Sequence, residues 1–281
     1  MDPHAIDQAL RLAADAISAA DALIIGAGAG MGVDSGLPDF RGPEGFWRAY
    51  PPLRSLGVHF EEMANPAWFD KNPQLAWGFY GHRLNLYRGV TPHAGFAALR
   101  RWLDRMPLRG FVYTSNVDGQ FQRAGFRDEE VVECHGSIHF GQCLTTCHDA
   151  IWPTDDVRVS VDESTLLAAD PLPACPRCGG LQRPNILMFS DGGWLHQRAL
   201  DQEERYKAWL RGLPASAKVV VVECGAGTAI PSVRWASKDA MRSHNATLIR
   251  VNVREADAPS GSINLPLGAQ DALTRIDALL P

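Results

Sequence analysis

The apolar positions of this chain alternate between two periods. From Ile6 to Ala19 the apolar side chains Ile6, Leu10, Ala13 and Ile17 recur at three- and four-residue intervals, which predicts an amphipathic helix. Ala22-Leu23-Ile24-Ile25 is a short unbroken apolar run and predicts a buried strand. Similar runs at Gly110-Phe111-Val112-Tyr113, Val131-Val132, Lys218 to Val222 and Thr247 to Val253 predict further strands. Helical spacing returns between them, as at Gly95 to Leu103 and Glu203 to Leu210. Strands alternating with helices predict an α/β fold: a Rossmann-like, doubly wound, mostly parallel sheet.

Two stretches break the alternation. Gly42 to Val90 is rich in aromatics and proline and reads as helices and loops, whereas Gly141 to Pro184 holds two cysteine pairs around a polar middle. The expected organisation is a nucleotide-binding domain built from 1–41, 91–140 and 185–281. A smaller domain of 42–90 and 141–184 combines a helical insertion with a metal module.

Candidate chemistry begins where the first strand meets Gly26-Ala27-Gly28-Ala29-Gly30-Met31-Gly32. A strand running into a glycine loop ahead of a helix offers backbone N–H groups to a phosphate. The usual G-x-G-x-x-G pattern fails: five residues after Gly26, Gly28 and Gly30 stand Met31, Val33 and Ser35. An ordinary dehydrogenase loop is thereby disfavoured.

Four of the six cysteines form two chelating pairs, Cys143-x3-Cys147 and Cys175-Pro176-Arg177-Cys178. Thiolates so spaced bind one ion from a tight turn, and two such turns complete a tetrahedral zinc site. His148 is an adjacent alternative to Cys147, but four thiolates are the expected set. With every position filled, the ion is structural. Cys134 and Cys224 are expected to be small buried hydrophobes.

Composition narrows the partners. With 281 residues, 46% hydrophobic and 21% charged, the chain has ample material for a core. A net charge of −5 argues against a nucleic-acid footprint. Met1-Asp2-Pro3-His4 lacks a positive segment followed by an apolar stretch, so no secretory signal is expected, and the longest uncharged apolar stretch, Ala22 to Val33, is too short and glycine-rich to span a bilayer. A cytoplasmic protein with neither membrane nor nucleic-acid partners is expected.

The run from Gly28 through Gly36-Leu37-Pro38-Asp39-Phe40-Arg41-Gly42 resembles the sirtuin signature, in which Gly-Ala-Gly leads into Gly-Ile-Pro-Asp-Phe-Arg. Gly32 stands where that family usually has serine. Thr114-Ser115-Asn116-Val117-Asp118 and Cys134-His135-Gly136 are similar to its Gln-Asn-Ile-Asp and His-Gly motifs, with Ser115 in place of glutamine. The zinc module also falls where sirtuins carry theirs.

This resemblance implies an NAD-consuming protein-lysine deacylase that yields nicotinamide, free lysine and O-acyl-ADP-ribose. Its partners would be acylated lysine side chains of proteins or peptides. By the resemblance, Asn116 and Asp118 line the nicotinamide pocket, Asp118 grips the carboxamide, and His135 is the general base for a ribose hydroxyl. NAD would further meet Gly28, Ala29, Gly30, Asp39, Phe40, Arg41, Ser115, Gly225, Gly227, Thr228, Asn252 and Ala269. Phe189 and Ser190 would pair with the peptide backbone. Tyr80-x-x-Arg83 resembles the pair that binds acidic acyl groups in some sirtuins; an aromatic beside a solvated arginine is the plainer alternative. Sirtuin-like ADP-ribosyl transfer or NAD hydrolysis is the competing activity, and a non-catalytic NAD sensor is a third.

Overall fold

The structure is a computed structural model and describes residues 2–38 and 42–281, with the side chains of all but 42–44 among them. The strands run β1 (Ala22–Ala27), β2 (Gly110–Thr114), β3 (Val131–Glu133), β4 (Gly136–Cys143), β5 (Trp152–Pro153), β6 (Val161–Asp162), β7 (Leu167–Ala168), β8 (Gln182–Ile186), β9 (Val219–Cys224), β10 (Thr247–Val251) and β11 (Ile263–Leu265).

Six of them form one parallel sheet in the order β11-β10-β9-β1-β2-β3. Its central strands β1 and β9 are buried along their whole length, as the unbroken apolar runs require when both faces are covered. On one face, Ile25, Val112 and Val222 meet Leu10 of the Pro3–Ser18 helix, Phe96 and Trp102 of the Ala94–Arg105 helix, and Leu273 of the Ala269–Asp277 helix. On the other, Ile24, Phe111 and Val221 meet Tyr206 of the Gln197–Gly212 helix and Ala240 of the Ser232–Ser243 helix. The α/β expectation holds. The periodic signal did not reveal β11 or the Ser232–Ser243 and Ala269–Asp277 helices. The glycine loop also differs from expectation: two short 3-10 turns, Ala29–Met31 and Val33–Ser35, follow β1 in place of a helix.

A third core gathers Phe46, Leu53, Phe69, Phe79 and Tyr80 from the aromatic-rich stretch with Val159, Leu166 and Ala168. Beside it lie the antiparallel sheet β5-β4-β8 and the hairpin β6-β7. The expected breaks at 140/141 and 184/185 fall inside β4 and β8. These two strands pair from Gly136↔Ile186 to Cys143↔Gln182 and so run across both breaks.

The Pro73–Gly89 helix touches the segment around the hairpin through glycines. A Cβ on Gly78 would stand 1.8 Å from the Leu166 carbonyl oxygen, and one on Gly81 would stand 2.5 Å from Val159 Cγ1. Trp77, on the same helix, donates its indole N–H to the Gln182 carbonyl at 2.9 Å. Among the described residues no helix is long and apolar enough to cross a membrane.

Candidate active site and metal centre

Strand order reverses at β1, with β2 on one side and β9 on the other. In open parallel sheets, ligands bind in the crevice at the carboxyl ends of the strands at such a point. Here Gly28 follows β1 and Gly225 follows β9, and the two loops touch backbone to backbone. Gly28 N–H donates to the Cys224 carbonyl at 3.0 Å, Gly30 N–H to the Gly225 carbonyl at 3.1 Å, and Gly225 N–H to the Val251 carbonyl at 2.9 Å. A Cβ at Gly28, Gly30 or Gly225 would meet opposing backbone atoms at 2.7, 2.7 and 2.4 Å. Gly225 also has φ +62°. These glycines let two loops close into one cradle, leaving space that side chains would otherwise fill.

The end of β2 completes the crevice wall. Ser115 N–H donates to the Ala27 carbonyl at 3.1 Å, and the Thr114 hydroxyl donates to that carbonyl at 2.9 Å while accepting from Asn116 N–H at 3.0 Å. The Asn116 side-chain amide donates to the Gly28 carbonyl at 3.0 Å. Asn116 therefore ties the β2 loop to the glycine cradle. Asp118 is 7% exposed, and its Oδ1 accepts from Gln120 N–H at 2.9 Å. Desolvation raises its pKa to about 6, against the opposing pull of the Gln120 groups.

His135 lies in the turn between β3 and β4, half-buried, with Nε2 3.2 Å from the Ser232 hydroxyl. Burial lowers its pKa, and a hydrogen bond to the Ser115 backbone partly offsets this. A neutral imidazole held between two partners has one ring nitrogen with a lone pair, the state a general base needs. Ser232 escaped sequence reasoning because a serine after a proline, at the head of a helix, carries no motif of its own.

The other expected residues are placed unevenly. Asp39, Phe40 and Arg41 lie outside the described residues. Ala29 is exposed in the first 3-10 turn; Gly227 is half-buried and Thr228 exposed beyond Gly225. The Asn252 amide donates to the Ala226 carbonyl at 2.9 Å, and its oxygen accepts from Arg254 and Glu255 N–H at 3.1 and 3.0 Å. It acts as a brace for the Gly225 loop. Arg234 adds a second bond to the same Ala226 carbonyl at 3.1 Å. Ala269 is buried as the first residue of its helix, where Gln270 N–H donates to Asp34 Oδ2 at 2.8 Å.

Tyr80 and Arg83 share the inner face of the Pro73–Gly89 helix, 1% and 6% exposed, so the solvated-arginine alternative does not hold. Arg83 donates from Nε and Nη2 to the Tyr87 hydroxyl at 3.0 and 2.9 Å and lies near the rings of Phe79, Tyr80 and Tyr87. The Tyr80 hydroxyl is buried with no hydrogen-bond partner among the described residues. Phe189 N–H donates to the Ala64 carbonyl at 2.8 Å, joining the segment after β8 to the aromatic stretch. Ser190 follows, exposed, with φ +56°. Asp191 is not surface chemistry: it accepts from Arg183 Nη1 at 2.9 Å, with its side chain fully buried.

The four expected thiols converge, all four sulfurs lying within 4.8 Å of one another. Cys143 Sγ lies 3.7 Å from Cys178 Sγ, and Cys147 Sγ 3.8 Å from Cys175 Sγ. A tetrahedron of ~2.3 Å zinc–sulfur bonds has edges of about 3.8 Å, so the set fits one closed zinc site. His148 Nε2 stands 3.7 Å from Cys175 Sγ, outside the four-sulfur cluster. Cys224 is buried and Cys134 partly so.

Comparison with known proteins adds four findings. The Sir2 family profile matches residues 28–207. An NAD-dependent protein deacylase of Pyrococcus abyssi is 33% identical over 250 residues, 89% of each chain. A probable bifunctional ADP-ribose hydrolase/ADP-ribosyltransferase of Fusarium oxysporum f. sp. cubense is 31% identical over 258 residues, 87% of this chain and 42% of that one. Among solved structures, a mutant Sir2 homologue in complex with ADP-ribose superposes with a TM-score of 0.69 at 25% identity, covering 99% of this chain and 96% of that one.

Proposed function

The chain belongs to the Sir2 family, and from that premise we propose a role for each group in the crevice. It is an NAD-dependent protein deacylase, with NAD as co-substrate, a cysteine tetrad that fits one structural zinc, and acylated lysines of proteins as substrates. The glycine cradle of Gly28, Gly30 and Gly225 receives the pyrophosphate side of NAD. Asn116 orients the nicotinamide ribose, and Asp118 holds the carboxamide. Nicotinamide leaves as the acyl oxygen of the modified lysine bonds to the anomeric carbon. His135 then takes the proton from the ribose hydroxyl that attacks the imidate carbon, and water releases the lysine, so that the acyl group ends on ADP-ribose. One observation carries this reading: His135 bonds the Ser115 backbone, Ser115 N–H bonds the Ala27 carbonyl and the Asn116 amide bonds the Gly28 carbonyl, which ties all three to the glycine cradle at the switch point of the sheet.

The remaining expected residues have supporting roles. Ser115 belongs to the nicotinamide side, and Gly227, Thr228 and Ala269 to the adenosine side; Asp39, Phe40 and Arg41 are NAD contacts by their motif alone. Asn252 acts by fixing the Gly225 loop. Phe189 and Ser190 form the edge along which an acylated peptide lies. The cores flanking the parallel sheet form the NAD-binding domain, and the third core with the zinc site forms the smaller one.

Acyl choice follows from Tyr80 and Arg83. A buried phenol hydroxyl without a partner among the described residues, next to a buried guanidinium, suits an acyl group ending in carboxylate. The test is mass spectrometry of products from NAD and a panel of acetyl-, malonyl-, succinyl- and glutaryl-lysine peptides. O-acyl-ADP-ribose and free lysine are expected, with the acidic acyl groups preferred and Arg83→Met reversing that preference. An unchanged succinyl rate in Arg83→Met removes the acyl assignment. ADP-ribose alone, or ADP-ribosylated protein, establishes the second reading, which the Fusarium relative favours.

A further inference from the structure

Gln120 is 1% exposed, and among the described residues neither its Nε2 nor its Oε1 has a hydrogen-bond partner. Buried polar side chains left wholly unsatisfied are rare because desolvation is not repaid, so such a group calls for a reason. Its position supplies one. Gln120 lies two residues beyond Asp118 and opens the short Gln120–Arg123 helix, and its backbone N–H holds Asp118 Oδ1.

The room for this side chain comes from the glycine loop. A Cβ on Gly32 would stand 3.0 Å from Gln120 Nε2 and 3.2 Å from Leu37 Cδ1. Gly32 has φ −81° and ψ −9°, a conformation open to any residue, so its backbone does not require glycine. What crowds a side chain there is the glutamine amide across from it, together with Leu37. The departure at Gly32 and the buried amide at Gln120 are therefore two halves of one arrangement.

The chemistry of the neighbour indicates what the amide meets. An ionised carboxylate only accepts hydrogen bonds, so Asp118 can satisfy the N–H groups of a primary carboxamide but not its oxygen. We propose that the Gln120 side-chain amide is a second recognition group for the nicotinamide carboxamide, donating from Nε2 to its oxygen while Asp118 accepts from its nitrogen. This rests on the assignment of Asp118 to the nicotinamide pocket and names a residue that assignment does not include.

Gln120→Met keeps the length and volume of the side chain and removes the amide. Nicotinamide binding by titration calorimetry, KM for NAD and Tm are measured on wild type and variant. The variant is expected to bind nicotinamide about tenfold more weakly, the factor for one lost hydrogen bond in a dry site, and to raise KM for NAD. Its Tm is expected to hold or rise, because an unsatisfied amide has left the interior. Gly32→Ala should reproduce the binding loss by displacing the amide, and should add nothing in the Gln120→Met background. Unchanged nicotinamide affinity in Gln120→Met, or a wild type that does not bind nicotinamide, overturns the proposal. Wild type that binds nicotinamide but leaves acylated peptides intact overturns the deacylase reading alone, and the comparison at Gln120 still decides.

Discussion

Burial acts on Asp118 and His135 with opposite signs. It lifts the carboxyl to about 6 and lowers the imidazole, because each shift favours the neutral form. At neutral pH the carboxylate is charged and the imidazole is free to accept a proton. Turnover is therefore expected to fall as pH drops below about 6 and to stay level from there through neutrality, which a kcat/KM profile on an acylated peptide measures. His135→Ala should cost at least ~100-fold in deacylation, the usual lower bound for a lost general base. Stability has the reverse pH dependence at Asp118. Its folded pKa lies above the ordinary 3.8, so the folded state binds the extra proton. The associated stability is fully present below about 4 and is lost as pH rises through about 6. At pH 7 the buried charge costs on the order of 3 kcal/mol. Asp118→Asn keeps an acceptor for Gln120 N–H and removes that cost. It should melt higher at pH 7 while losing most of its activity; a lower melting temperature would show that the charge is satisfied in the fold.

At the scale of elements, the glycine cradle is the most demanding feature. Gly225→Ala places a side chain at positive φ and against the Gly30 backbone at 2.4 Å. Strain of roughly 1–3 kcal/mol at the backbone alone is expected to lower Tm and to weaken NAD binding more than any single side-chain deletion in the loop. Equal NAD affinity in the variant would mean that the loops can separate. Much of this was readable beforehand. Unbroken apolar runs such as Val219 to Val222 are long enough to identify buried strands, and two cysteine pairs at chelating distance announce their ion. The contact of Gly28 and Gly30 with Gly225 was not readable, because nearly two hundred residues separate the partners and no periodicity links them. Ser232 and Gln120 were hidden for a related reason: their meaning comes from the residue opposite, not from their own neighbours in the chain. Asn252 illustrates the converse, since its motif position was found but its side chain serves the loop.

At the scale of the whole molecule, the chain has two kinds of core. The parallel sheet is covered on both faces by helices, whereas the third core rests on aromatic packing beside the cysteine cluster. One zinc per chain is expected by elemental analysis. Removing it with a strong chelator should expose the backbone amides of β4, β8 and the β6–β7 hairpin to hydrogen exchange while β1, β2 and β9 stay protected. Uniform loss of protection would instead mean that the molecule unfolds as a single unit.

The side-chain-free contact of Gly78 and Gly81 with Leu166 and Val159 has a consequence for acyl choice. The same helix carries Tyr80 and Arg83 on its inner face, and Leu166 and Val159 lie between the two halves of the cysteine tetrad in the chain. If Tyr80 and Arg83 read the acyl group as proposed, metal occupancy and acyl affinity are expected to be linked, and such linkage is reciprocal. A preparation that has lost part of its zinc should change its ranking of acyl groups before it loses turnover. Trp77, hydrogen-bonded across the same junction, should report the change in its fluorescence. Conversely, a tightly held acidic acyl peptide should slow the escape of the metal.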